Sequence, residues 1–204
     1  MQAFSYVPAR TISEAAEILA REGDQAKCLS GGTDLIVFLR EGRRSAKVVV
    51  DVKGIPELNQ LSYSPKEGLT IGAAVPCHRI YNNAQIAAAY PGLIDAVTLI
   101  GGTAIQGRAT LGGNVCTASP AGDSIPVLIA YEATCIVASG GLKTSMVPVA
   151  RFQRKAAPSL LIPARSWPPL AIPVSRPCAR PAGRNLENSG SEPGAGCTAK
   201  SPGP

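Results

Sequence analysis

Apolar residues recur at two different periods along the first 150 residues, and the changes of period mark the elements. In TISEAAEILAREG at 11–23, Ala15, Ile18 and Leu19 share one face at helical spacing. Thr11 and Glu14 stand at capping-box spacing, and Gly23 suits the stop. AKCLS at 26–30 predicts a short strand running into Gly31-Gly32, TDLIVFLREG at 33–42 a second helix, and the β-branched KVVVDV at 47–52 a buried strand. This order is a small α/β unit. After Gly54, LNQLSYS and LTIGAAV flank the turn signal PKEG at 65–68, which predicts an antiparallel hairpin. Helices are expected around 78–89 and 92–100. A segment of small residues at 110–123 leads into a helix at 124–131, and strands are expected near 133–138 and 142–148. No repeat of solenoid length occurs.

The pattern breaks after Phe152. Residues 151–204 hold ten of the 18 prolines, no Asp, and no sustained apolar periodicity. RSWPPLAIPVSRPCARPAGR is barred from a helix and is a poor central strand. We therefore expect a folded unit over 1–152, with one lobe over about 1–54 and a second over about 55–152, and a disordered Pro/Arg-rich tail over 153–204.

Charge follows the same division. The net charge of +6 lies in the tail, because residues 1–150 hold twelve basic and twelve acidic side chains. A body without basic bias lacks the electrostatic basis for nucleic-acid binding, and the tail's arginines are scattered among prolines. The six cysteines form no C-x-x-C pair and match no zinc or iron–sulfur spacing. No secretory leader is visible, and the apolar runs are too short to span a bilayer. The expectation is a cytoplasmic chain with reduced thiols, no bound metal and no membrane span.

Two glycine-bearing segments carry the candidate chemistry. Ser30-Gly31-Gly32-Thr33-Asp34 joins a strand to a helix, where bare main-chain amides and the helix dipole favour an anion. Its plain alternative is a tight turn with an N-cap. Gly112-Gly113-Asn114 offers a second stretch of amides, with Thr110 and Thr117 as added hydroxyl donors. Asp123 could accept from a ribose hydroxyl, or could cap helix 124–131. The two together suit a ligand with a pyrophosphate and a sugar. G-x-G-x-x-G and G-K-[ST] are both missing, and Pro126 spoils a nucleophile elbow at 122–126. The single histidine, His78, is a weak basis for hydrolytic chemistry.

With those residues in hand, residues 1–152 resemble the FAD-binding (medium) subunit of the molybdenum hydroxylases, the group that includes xanthine dehydrogenase and carbon monoxide dehydrogenase. The resemblance is carried by P-x-x-T-I-S-E-A near the start, LSGGTDL at 29–35, DVKGIPEL at 51–58, LTIGAAV at 69–75 and, most specifically, TLGGNVCTASPAGDSIPVLIAYEA at 110–133. It implies an α/β (α+β) two-lobed FAD-binding fold of the vanillyl-alcohol oxidase / PCMH type, without that family's C-terminal subdomain.

By position, the resemblance puts Cys28, Leu29, Ser30, Gly31, Gly32, Thr33, Asp34 and Leu35 around the FAD pyrophosphate. It makes Thr110, Gly112, Gly113 and Asn114 a second phosphate-facing loop, sends Thr117 and Asp123 to the phosphate or ribose, and sets Ile100 beside the flavin ring. It implies an electron-transfer flavoprotein subunit with no catalytic acid–base pair. Electrons would come from 2Fe-2S clusters of a partner subunit, fed by a molybdenum-cofactor subunit, and leave to NAD+ or another acceptor. The alternative is a truncated remnant or assembly module that keeps the fold without flavin. The abrupt loss of pattern at Phe152 suggests a shift of coding frame, which a family-like continuation in another frame of the nucleotide sequence would reveal.

Overall fold

In a computed structural model the structure describes residues 2–139, 143–151 and 170–174. A three-stranded parallel sheet opens the chain, ordered β1 (Ser5–Pro8), β3 (Val48–Asp51), β2 (Ala26–Leu29). Helix α1 (Ile12–Glu22) starts at Thr11, whose Oγ1 accepts from Glu14 N at 3.1 Å, and Glu14 Oε2 accepts from Arg10 N at 2.7 Å. Gly23 stops it at φ +52, where glycine is at home. Helix α2 (Leu35–Arg40) connects β2 to β3, so the expected α/β unit is present. The first strand, β1, escaped the periodicity because its SYVP is four residues long and mostly exposed.

The hairpin pairs β4 (Leu61–Ser64) with β5 (Gly68–Ile71), as the PKEG signal predicts. The helix expected over 78–89 is two: α3 (Cys77–Tyr81) and α4 (Ala84–Ala89), separated where Asn83 Oδ1 accepts from Gln85 N and Ile86 N at 3.1 Å each. Then come α5 (Pro91–Leu99), α6 (Thr103–Gln106), α7 (Leu111–Thr117) and α8 (Ser124–Ala130), followed by the antiparallel strands β6 (Thr134–Ser139) and β7 (Lys143–Pro148). The segment at 110–123, read as open loop, is thus helical over its first half.

Most of the expected disordered tail lies outside the described residues. Leu170–Val174 does not: it forms β8, between β5 and β6 in a second sheet ordered β4-β5-β8-β6-β7. Proline content argued against a central strand here, yet β8 pairs over five residues with β6, while its pairing with β5 is one residue, Thr70 opposite Val174.

Two cores lie side by side. One, around Ile80, Ile86, Leu93, Leu111 and Val115, joins the second sheet to helices α3–α5, α7 and α8. The other packs α1 on the parallel sheet through Ala15, Leu19 and Val50, and it also takes in Ile55, Leu58, Ala73, Ala74 and Ala138. The side chains therefore do not divide at residue 54. Ile55, Leu58, Ala73, Ala74 and Ala138, all beyond residue 54, share this core with α1 and the parallel sheet. Among the described residues no helix is long and apolar enough to cross a membrane.

Candidate functional site

The turn after β2 has a backbone that few sequences could adopt. Gly32 sits at φ +80, in the left-handed region, and Asp34 returns to the right-handed region at φ −93, ψ −47. A change of hand within two residues is the kind of backbone that can turn N–H groups to a common side and form an anion nest. Among the described residues the N–H groups of Gly31, Gly32, Thr33 and Asp34 are given to no acceptor. Main-chain amides left unpaired in this way want an oxygen from water or a ligand.

Gly31 has a separate reason to be glycine. A Cβ there would stand 2.3 Å from the Arg108 carbonyl oxygen, so the nest is pressed directly onto the chain entering the second segment. The contact is reinforced by hydroxyls. Ser30 Oγ donates to the Ala73 carbonyl at 3.0 Å. That uses its one proton, so in its 3.0 Å contact with Thr110 Oγ1 the threonine is the donor. Thr110 Oγ1 in turn accepts from Gly113 N at 3.0 Å, which caps α7. Sequence reasoning missed the partners Ala73 and Arg108, because both act through main-chain carbonyls that no side-chain motif encodes.

These contacts redistribute roles in the second segment. The Thr110 hydroxyl proton and the Gly113 amide are both engaged within the chain. Gly112 is buried against Ala73, where an added Cβ would come within 2.5 Å of the Ala73 Cβ, so packing between elements explains this glycine. Asn114 Oδ1 accepts from Ser124 Oγ at 2.6 Å and ties α7 to α8. Thr117 does reach the first loop: its Oγ1 donates to Asp34 Oδ2 at 3.2 Å. Asp123 is exposed and makes no side-chain cap to α8, so the capping alternative is not realised.

Around the nest, Leu29 is buried and Leu35 packs beside it in a small cluster with Leu39 and Val49, so their side chains serve the core. Loss of solvation pushes the thiol of the half-buried Cys28 up to about 12, with smaller contributions from Cys116 and Asp51 and an opposing one from Lys53, which disfavours its thiolate at neutral pH. Ile100 ends α5 with its side chain against the main core. The turn that follows is held by Gln106 Nε2, which donates to the Thr98 carbonyl at 2.7 Å and the Gly101 carbonyl at 3.3 Å.

The sequence model of the family described as FAD binding domain in molybdopterin dehydrogenase matches residues 2–164. The chain belongs to this family. The match runs past Phe152, where the pattern in the sequence fades. The glyceraldehyde dehydrogenase medium chain of Sulfolobus acidocaldarius is 35% identical over 137 residues, covering 67% of this chain and 48% of that protein. The xanthine dehydrogenase FAD-binding subunit of Escherichia coli O157:H7 is 31% identical over 129 residues, 63% of this chain and 44% of the relative. This member of the family thus spans about half the length of the curated relatives it matches.

Solved structures agree on the fold. Reconstituted CO dehydrogenase from Oligotropha carboxidovorans superposes with a TM-score of 0.72 at 22% identity, covering 86% of this chain and 60% of that one. Quinoline 2-oxidoreductase from Pseudomonas putida 86 gives the same TM-score at 21% identity, with 87% and 60% covered. The cofactor of the family is FAD, and four unpaired amides in a nest fit the phosphate end of such a dinucleotide.

Proposed function

We propose that this chain is the FAD-holding part of a molybdenum hydroxylase. The observation that carries the reading is the nest of unpaired amides at Gly31–Asp34, inside a family match that covers most of the chain. FAD held by these residues would supply the redox chemistry, electron transfer between the 2Fe-2S clusters of one partner subunit, fed by a molybdenum-cofactor subunit, and NAD+ or another acceptor.

The chain's own residues bind and orient. Amides of Gly31 to Asp34 hold the diphosphate, with the Thr33 hydroxyl as a further donor, while Thr117, whose proton goes to Asp34, braces the loop from α7. Gly112, Gly113 and Asn114 form the wall behind it, where small side chains let α7 approach. The Asp123 carboxylate, exposed and uncapped, accepts from a ribose hydroxyl. Ile100 offers an apolar surface to the flavin ring. Relatives named as an FAD-binding subunit and a medium chain support FAD as the ligand these residues hold.

The test is the visible spectrum of the purified full-length chain, before and after incubation with FAD and removal of the excess. Flavin bands that stay with the protein are expected. A colourless chain that takes up no added FAD would overturn the reading in favour of a remnant that keeps the fold alone.

A further inference from the structure

A second anion-directed feature lies at the other end of the parallel sheet, where β2 and β3 begin. Helix α2 ends at Arg40, and Gly42 at φ +72 turns the chain back toward β3. The turn is pinned by main-chain bonds: Glu41 N to Val37 O at 2.9 Å, Arg44 N to Phe38 O at 3.2 Å, and Lys47 N to Gln25 O at 2.8 Å. It borders an open pocket of about 350 Å³, lined by Gln2, Leu39, Glu41, Ala46 and the exposed Arg40 and Arg44. The volume is at the lower end of small-molecule sites.

Its charges are unbalanced. The nearest carboxylate in the turn, Glu41, is held by Arg43 Nε at 3.0 Å. Arg40 and Arg44 make no ion pair among the described residues. The Arg44 guanidinium carbon lies over the Phe38 ring, 5.1 Å from its centroid, a cation–π contact that leaves N–H groups available to an oxyanion. Lys27 adds a third positive charge nearby. Loss of solvation lowers its pKa, Asp24 opposes this, and the charge of Arg44 pushes the same way as the desolvation. Two arginines thus border one pocket on a pinned turn with no ion pair among the described residues, and guanidinium and phosphate match in bidentate geometry.

We propose that this pocket binds a phosphate-bearing small molecule through Arg40 and Arg44. The site is separate from the FAD nest, which lies beyond the opposite, C-terminal end of β2.

The test is calorimetric titration of the full-length chain with inorganic phosphate at constant ionic strength, repeated with Arg44→Leu, which keeps a hydrophobic contact with Phe38, and with Arg40→Gln. A saturable site weakened about tenfold or more in each variant is expected, the loss of one charge-assisted contact, beside any phosphate at the glycine nest that neither variant affects. Matching thermal melts show that the variants are folded. No saturable binding to the parent chain overturns the proposal. So does binding that both variants leave wholly unweakened, which would put phosphate at the glycine nest alone.

Discussion

Ser30 and Thr110, eighty residues apart in the chain, share a hydrogen bond of 3.0 Å in which Thr110 donates, because the Ser30 proton is already committed to the Ala73 carbonyl. This pair joins the nest to the cap of α7. Removing the serine hydroxyl leaves the Ala73 carbonyl without that donor and Thr110 without its acceptor. Ser30→Ala is therefore expected to cost about 1–3 kcal/mol, read as a lower midpoint in urea unfolding. Unchanged stability would mean that the hydroxyl chain does not hold the nest to α7.

Neighbouring glycines in α7 should behave differently. An alanine at 112 would bring its Cβ to 2.5 Å from the Ala73 Cβ and 2.6 Å from its Cα and carbonyl oxygen, where the backbone cannot yield cheaply. Gly112→Ala is expected to destabilise by about 1–3 kcal/mol through overpacking. At 113 the Cβ meets only the Thr110 hydroxyl at 3.0 Å, and alanine favours the helix by about 1 kcal/mol. Gly113→Ala should thus be close to neutral. Equal effects of the two substitutions in chemical unfolding would contradict this packing.

The Tyr6, Asp51 and Lys53 side chains set a pH window. Burial by itself would raise the Asp51 carboxyl, but hydrogen bonds from Lys53 and Tyr6 outweigh it and hold the group below its ordinary value. A carboxyl lowered on folding stabilises above its unfolded pKa of about 3.9, and that contribution is lost as pH falls through the lower folded value. Tyr6 moves the other way, raised first by its hydrogen bond to Asp51 and then by desolvation. Its contribution is complete below about 10 and is lost as pH rises through the folded value. Tyr6→Phe is expected to flatten both limbs of melting temperature against pH. A profile that overlays the parent's at both ends would refute the coupling.

Thiol reactivity should follow burial. Desolvation pushes Cys77 up to about 11 and Cys135 up to about 12, and Cys28 is also near 12, whereas Cys116 is exposed. Brief alkylation at neutral pH, mapped by mass spectrometry, should mark Cys116 well before these three. Early labelling of Cys28 would show that the strand leading to the nest opens readily.

Much of this was legible in the sequence where signals are local. Thr11, Glu14 and Gly23 bound α1 because caps are encoded within a turn, and Gly31-Gly32 between a strand and a helix marked the turn, Gly32 for its φ of +80 and Gly31 for its closeness to the Arg108 carbonyl. The helix α7 was hidden, since paired glycines argue against helix and its Thr110 cap lacks an acidic partner three residues on. Strand β8 was hidden by Pro173, because pairing with β6 is set by tertiary context and not by local propensity. The carbonyls of Ala73 and Arg108 left no trace, for any residue could supply them. Recognition of the family rested on five motifs, the one at 110–133 most specifically, and the structure gives a second reason for its small residues: α7 packs closely on Ala73.

The most direct measurement is a fluorescence titration of the full-length chain with FAD and, separately, with riboflavin, repeated on Gly32→Val. If the amides of Gly31–Asp34 hold the diphosphate, FAD should bind about a hundredfold or more tightly than riboflavin, the worth of two charge-assisted hydrogen bonds. That advantage should vanish in Gly32→Val, whose side chain opposes φ +80. Equal affinity for the two flavins in the parent chain, or an FAD preference that survives Gly32→Val, would contradict the nest as the phosphate site.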